Sequence, residues 1–304
     1  MRIEAANEAR LSAMLAMAQR TYDSERDRVA ALTDWQPDAE AMRQALTNGL
    51  VAIENDTLQG FLLHNCQWHE NGRRVVSYPV WGYGANDART LSRLFQASAE
   101  ALLTQGAARF SVNLYAHDDE AIRMFCLLQF GMECEECVRD SADKLEQGYP
   151  VRELSQTERI ARWSEIWALL AQLIEHLRQS PVFYPGREFT EALYRAYLAE
   201  QGARLFVAED GARIIGLILA CDEQNAILRG KDCQSIGEAF VLPAYRGGAI
   251  ARSLLAYACD TLRDEGARRF WVRHGTANPT ARGFWDKYFR PYSYTMTRDV
   301  DPVA

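Results

Sequence analysis

Little in this sequence favours a nucleic-acid or membrane partner. Lys and Arg total 34 against 41 Asp and Glu, a formal net charge of -7, so the basic surplus typical of nucleic-acid binders is missing. Met1 to Arg10 carries charges of both signs and no apolar run, so it does not read as a signal peptide. The longest apolar runs, such as Ile214 to Cys221, are strand-sized and too short to cross a bilayer. The 7 cysteines are odd in number and irregularly spaced, which argues against a disulfide framework and for a reduced, cytoplasmic protein. Cys134 and Cys137 have CxxC spacing, but no second pair and no His cluster accompanies them, so no metal site is expected. Gly131 to Arg139 reads as a strand, on which residues three apart face opposite sides.

What is present is a folded α/β composition: 304 residues, 48% hydrophobic, long for one core and comfortable for two domains. The two halves repeat one pattern. Val51 to Asp56 precedes Leu58 to Leu63, and Phe206 to Gly211 precedes Ile214 to Leu219. Each is an apolar run, an acidic polar turn, then a second run with a Gly (Gly60, Gly216), which reads as a β-hairpin. The same order then follows twice: strand, long amphipathic helix, strand, short helix. In the first half these are Val75–Trp81, Asp87–Thr104, Arg109–Leu114 and Asp119–Leu128. In the second they are Ser235–Val241, Gly248–Glu265, Arg269–His274 and Pro279–Tyr288. Short opening strands (Arg2–Ala5, Val151–Leu154) and helical stretches (Asn7–Ser24, Thr157–Arg178) precede them. Polar Asp140 to Gln147, with Gly148 and Pro150, is the expected linker, which sets the domains at 1–145 and 146–304.

The segment richest in chemistry runs from Phe240 to Ala258. A β-rich run ends at Phe240 and Val241, Pro243 breaks it, Gly247 and Gly248 follow, and an amphipathic helix begins. The first N–H groups of a helix lack internal partners and sit at the positive end of its dipole, so this junction is an anion site. Arg246 and Arg252 add guanidinium groups suited to phosphate oxygens.

This junction resembles the pyrophosphate-binding motif of the GNAT N-acetyltransferase superfamily, Arg/Gln-x-x-Gly-x-Gly/Ala, with Arg246, Ala249 and Ala251 at the three key positions and Gly247, Gly248 and Ile250 between them. Downstream, Asn278 to Trp285 resembles the superfamily's Asn-x-x-Ala-x-x-x-Tyr segment beside the pantetheine arm. The resemblance implies two tandem α/β (α+β) domains, each a mixed, mostly antiparallel twisted sheet flanked by helices. It also implies acetyl-CoA as acyl donor and an amine of a small molecule or peptide as acceptor. Two positions depart from the pattern. Ala249 stands where Gly is usual. Trp285 stands where relatives carry a Tyr that protonates the leaving thiolate, and an indole N–H lacks the acidity for that. Tyr288, three residues on, is the substitute candidate, with water as the alternative.

The first half keeps the architecture with weaker motifs. Trp81 to Leu91 has glycines but no Arg ahead of the helix, and Asn86 or Asp87 reads as an N-cap that would occupy the free amides and repel phosphate. Phe125 stands at the phenol position. This half reads as a non-catalytic copy.

Direct attack by an amine needs a base, a polarised thioester and no nucleophilic cysteine. Backbone N–H near Val241 would polarise the carbonyl. Glu238 is the first base candidate, because it shares a strand face with Ile236 and Phe240, and apolar surroundings raise a carboxyl pKa. His274 is the second. Phe183 and Tyr184, in the loop Ser180 to Arg187, are candidates for contact with the acceptor. Rival readings are a non-catalytic acetyl-CoA sensor or partner-binding protein, a tandem aminoacyl transferase, and a ligand-free scaffold dimer. The sequence leaves a homodimer open.

Overall fold

The computed structural model describes residues 1–70, 72–184, 189–199 and 202–301. The chain divides into two compact units, Met1–Glu136 with Pro291–Ala304, and Cys137–Arg290. The expected boundary at 145/146 therefore differs from the contact division in two places. The linker belongs to the second unit, and the last strand belongs to the first.

The first unit runs β1 (Arg2–Ala5), α1 (Leu11–Arg26), α2 (Ala39–Ala45), β2 (Gly49–Glu54), β3 (Thr57–Leu63), β4 (Cys66–Glu70), β5 (Arg73–Tyr78), β6 (Tyr83–Ala85), α3 (Ala88–Leu103), β7 (Ala107–Tyr115) and α4 (Asp119–Leu127). β8 (Gly131–Asp140) leads into the second unit. There follow β9 (Val151–Glu153), α5 (Gln156–Ala161), α6 (Trp163–Arg178), α7 (Glu191–Ala199), β10 (Arg204–Asp210), β11 (Arg213–Cys221), β12 (Cys233–Val241), α8 (Ile250–Asp264), β13 (Arg269–Gly275) and α9 (Pro279–Trp285). β14 (Arg290–Asp299) closes the chain.

In the first unit, β1, β2, β3 and β6 form an antiparallel sheet. β4, β5, β7 and β14 form a second set, with β5 and β7 parallel and β14 antiparallel to β7. The β2–β3 hairpin turns on Asn55 (φ 48°) and Asp56 (φ 59°), the two residue types that enter the left-handed region most easily after glycine. Phe95 of α3 anchors the core by edge-to-face contacts with Phe110, Phe125 and Phe130 at 5.5, 5.5 and 5.3 Å.

In the second unit, β9, β10, β11 and β12 pair antiparallel and β13 pairs parallel to β12. α6 and α8 pack on β11, whose residues from Ile214 to Cys221 are all buried. Such a strand reads as a continuous apolar run because both faces are covered. The predicted helix Thr157–Arg178 is two helices. Ser155 and Glu158 form a reciprocal capping box at the start of α5, and the helix breaks at Arg162 (φ -104°, ψ 19°) before α6. No helix among the described residues is long and apolar enough to cross a membrane.

Candidate active site

The junction between β12 and α8 is open. α8 begins at Ile250, two residues later than expected, and its N-cap Ala249 offers no side-chain hydrogen bond. The backbone N–H groups of Ala249, Ile250, Ala251 and Arg252 have no acceptor among the described residues. Gly247 adopts φ +82°, and a Cβ added at Gly247 or Gly248 would meet nothing within 4 Å. The positive φ favours glycine at 247, and the space beside the pair leaves room for a ligand's approach. Arg246 is held in place, with Nε donating to the Val241 carbonyl at 2.9 Å and the guanidinium 5.1 Å from the Phe240 ring centroid. α8 sits close to the sheet because position 216 is glycine: a Cβ there would lie 3.1 Å from Leu254 Cδ1 and 3.2 Å from Val241 Cγ2.

One departure from the expected motif, Ala249, has a close neighbour in the linker. A Cβ built on Gly148 would lie 3.0 Å from the Ala249 methyl, so that methyl is directed at the linker. Gly148 N–H donates to Ser253 Oγ at 2.9 Å in the same place. Arg252, the second guanidinium expected to face phosphate, lies beside Gly148 with its Nη1 3.8 Å from the exposed Glu146 carboxylate.

Beside this junction the sheet opens. β12 pairs with β13 only from Cys233↔Arg269 to Ser235↔Trp271, whereas its ladder with β11 continues to Gly216↔Val241. From Ile236 to Val241, β12 therefore has no ladder partner on its β13 side among the described residues, and the pairing of the two parallel strands ends there as a wedge. Its backbone N–H and C=O groups there can serve an extended ligand.

Glu238 lies on this free stretch. It is half-buried, and the Tyr194 hydroxyl of α7 donates to its Oε1 at 2.8 Å. Burial pushes the Glu238 carboxyl above its ordinary range, while the Tyr194 hydrogen bond pulls against that shift. Tyr194 is itself buried, stacked on Phe189 at 6.1 Å and tilted against Trp167 at 6.3 Å. Tyr184 continues the aromatic row, 5.5 Å from Phe189. Phe183 does not join it and is 69% exposed. Pro185 to Arg187 of the same loop lie outside the described residues. Tyr194, Phe189 and Trp167 were missed from sequence. The available signal was the apolar spacing of Tyr194, Tyr197 and Leu198 on one face of a helix.

The remaining candidates do not gather around Glu238. His274 of β13 is buried, with Nε2 3.9 Å from Cys137 Sγ and 3.9 Å from Asp286 Oδ1, and burial lowers its pKa. Asn278 caps α9: its Oδ1 accepts from Thr280 and Ala281 N–H, both at 3.2 Å, and lies 3.4 Å from His176 Nε2. Trp285 is buried against Phe289 in the apolar core. α9 ends at Trp285 rather than at Tyr288, because Tyr288 and Phe289 N–H both fold back onto the Trp285 carbonyl. Tyr288 is thus in the turn after the helix, half-buried, with its ring edge-on to Phe284 at 5.2 Å.

The matching junction of the first unit is closed twice. Asp87 caps α3, taking the Thr90 N–H and hydroxyl, each at 2.8 Å, and these bonds hold its carboxyl below the usual range. The strand corresponding to β12 is broken after Tyr78 into β5 and β6, a step that contains Pro79. Gly60 pairs with Ala85 as Gly216 pairs with Val241, so Tyr83 corresponds to Ala239. Tyr83 is fully buried and reaches β7, where its hydroxyl accepts from Tyr115 N–H at 3.2 Å and donates to Asp118 at 3.0 Å.

An open helix amino terminus beside the end of a parallel β12–β13 ladder is the feature of this α/β domain that the comparisons address. Residues 168–289, all within the second unit, match the family model "Acetyltransferase (GNAT) family". Among solved structures, a GCN5-related N-acetyltransferase from Sphaerobacter thermophilus is similar over 100% of this chain and 96% of its own, with 14% identity and TM-score 0.59. A tandem GNAT protein from the clavulanic acid biosynthesis pathway is similar over 100% of both chains, with 12% identity and TM-score 0.51. The glucosamine N-acetyltransferase region of a fungal multi-domain GH3 β-N-acetylglucosaminidase covers 97% of this chain and 38% of that one, with 13% identity and TM-score 0.54. At these identities the structural matches establish the fold, two tandem GNAT-like domains of mixed, mostly antiparallel sheet flanked by helices. No curated protein matches.

Proposed function

We propose that the second unit is an acetyl-CoA-dependent N-acetyltransferase that passes acetyl directly to a primary amine of a small molecule or peptide, and that the first unit is a non-catalytic copy. The observation that carries this reading is the run of unpaired N–H groups from Ala249 to Arg252, open beside Gly247 and Gly248. Those amides and the Arg246 guanidinium would hold the diphosphate, and the unpaired edge of β12 would take the pantetheine arm. Main-chain N–H near Val241 would polarise the thioester carbonyl.

In this reading Glu238 takes the proton of the incoming ammonium. Its raised pKa brings the carboxylate closer to the amine's proton, which general-base transfer requires. The amine then attacks, the C–S bond breaks, the thiolate takes a proton from Tyr288 or water, and the extra proton on the new amide nitrogen passes to that same donor, which restores it. This route calls on neither a metal nor an acyl-enzyme. The free cysteines fit a cytoplasmic protein.

Trp285 supports one second reading, a unit that binds acetyl-CoA without turnover, because indole cannot protonate the thiolate. Two measurements in sequence test the assignment. Acetyl-CoA should raise the melting midpoint of the full chain in a concentration-dependent way. Thiol release across an amine panel should then be dependent on Glu238, with Glu238→Gln lowering kcat/KM by about 100-fold or more. Binding without thiol release would select the sensor reading, and absence of binding would reject both.

A further inference from the structure

The proton-taking carboxylate does not stand alone, and its partner comes from a different layer of the unit. Tyr194 is on α7, and Glu238 is on the edge of β12 that has lost its parallel neighbour. The phenol is 2.8 Å from Oε1, and no other side chain among the described residues donates to this carboxylate. Tyr194 has little freedom to leave. It is buried, its ring is stacked on Phe189, and Trp167 of α6 closes another side. Just ahead of the helix that carries it, the Thr190 hydroxyl accepts the Leu193 N–H at 3.2 Å.

We propose that Tyr194 is a positioning residue: its phenol fixes Glu238 by Oε1 and keeps the carboxylate ionised, so that Oε2 stays available to the acceptor ammonium.

The physical case rests on two opposing pressures. Glu238 lies in a β-bulge, where the step from Ile236 to Ala239 on β12 faces only Ala220 to Ile218 on β11, so the alternation that would put it on one face with both Ile236 and Phe240 is broken. Its withdrawal from water, and to a lesser degree the charge of Glu223, drive the carboxylate towards its neutral form. Among the described residues the influences on this carboxyl come from burial, Tyr194, its own backbone and Glu223, with no Arg or Lys among them. A neutral donor is the available counterweight. A phenol hydrogen bond favours the charged carboxylate without cancelling its charge, as a guanidinium would. An ion pair would leave a base too weak for an ammonium, and an unsupported buried carboxyl would stay protonated at neutral pH. The phenol sets a state between these two and also selects which oxygen is free.

This inference rests on the reading of Glu238 as the base, and the test separates the two. The full-length chain, labelled with 13C at the glutamate δ-carbon, is titrated by NMR as wild type, Tyr194→Phe and Glu238→Gln. The last variant assigns the Glu238 signal by its loss. Phe preserves the stacking on Phe189 and the contact with Trp167, and acetyl-CoA thermal shifts confirm that each variant folds and binds. The midpoint for Glu238 should move up by roughly one pH unit in Tyr194→Phe. The acid limb of kcat/KM, read as thiol release from acetyl-CoA with a panel of putrescine, tyramine, lysine and glycinamide, should move by the same amount. An unmoved Glu238 midpoint would overturn the positioning role, whether or not any amine is accepted. Equal loss of rate at every pH, with the limb in place, would mark Tyr194 as packing only and also overturn it. A moved midpoint together with full activity in Glu238→Gln would uphold the phenol's hold on the carboxylate and reject Glu238 as base.

Discussion

The two junctions between strand and helix, β12–α8 and β6–α3, are built on the same register and end in opposite states. In the second unit the first amides of α8 have no partner among the described residues, Gly247 turns the chain at positive φ, and position 239 holds a small Ala. In the first unit Asp87 occupies the helix start and Tyr83, at the place of Ala239, bonds to the Tyr115 N–H. The proposed anion site would persist only while those groups stay unsatisfied. A cap and a plug, both ordinary stabilising features, are sufficient to remove it. The open junction leaves helix capping energy unused, in the way functional sites commonly depart from local optimum.

This contrast can be broken from either side. The largest effect is expected for Ala239→Tyr, which places the first unit's plug in the second unit's wedge. Acetyl-CoA affinity should fall by ~1000-fold or more (~4 kcal/mol) in a calorimetric titration. Next is the converse, Tyr83→Ala, which empties a fully buried site and leaves Tyr115 N–H and Asp118 without their partner. It should cost about 3–5 kcal/mol in denaturant unfolding of the first unit, with acetyl-CoA affinity unchanged. Ala249→Asp supplies the missing cap and a negative charge, and should weaken acetyl-CoA by about 10–100-fold. Asp87→Ala should destabilise the first unit by about 0.5–2 kcal/mol, with no effect on ligand affinity.

The smallest effect concerns pH. Glu238 has a raised pKa in the folded chain, so the folded state holds this proton more tightly than the unfolded one. Its contribution to stability is complete below the ordinary value of 4.5 and is lost as the pH rises through the folded value. Glu238→Gln removes that loss. The variant should melt above wild type near pH 8, and the difference should shrink as the pH falls towards 4.5 in a series of melting curves. An inactive variant that is more stable than wild type would be the mark of a base kept at a cost to the fold.

The parts of this contrast that follow from short-range chemistry were readable in the sequence. The Asn55–Asp56 hairpin, the helix following Gly247 and Gly248, and an acidic cap at Asp87 each depend on residues within one turn of each other. The wedge was not readable, since it depends on where the β12–β13 ladder stops, and nothing at Ser235 or Trp271 announces that end. The Tyr83 plug and the Tyr194–Glu238 bond join residues 32 and 44 positions apart, and each needs the folded register to bring its partners together. Helix ends were misjudged where side-chain rhythm outlasted the backbone: Tyr288 keeps the apolar spacing of α9 but lies in the turn beyond it. Arg252, a phosphate candidate from sequence, lies with its Nη1 3.8 Å from the exposed Glu146 of the linker, a contact that only the folded register brings about. The CxxC pair consists of a partly exposed Cys134 and a buried Cys137, in keeping with strand alternation.

One titration addresses the contrast directly. Backbone amide NMR spectra of the full-length chain, recorded during addition of acetyl-CoA, report on both helix starts in a single sample. Saturable displacement of the Ala249 to Arg252 amides, with Ala88 to Leu91 unmoved, is the expected result. Amides of Ala249 to Arg252 that stay in place at saturating acetyl-CoA, or displacement centred on Ala88 to Leu91, would contradict it.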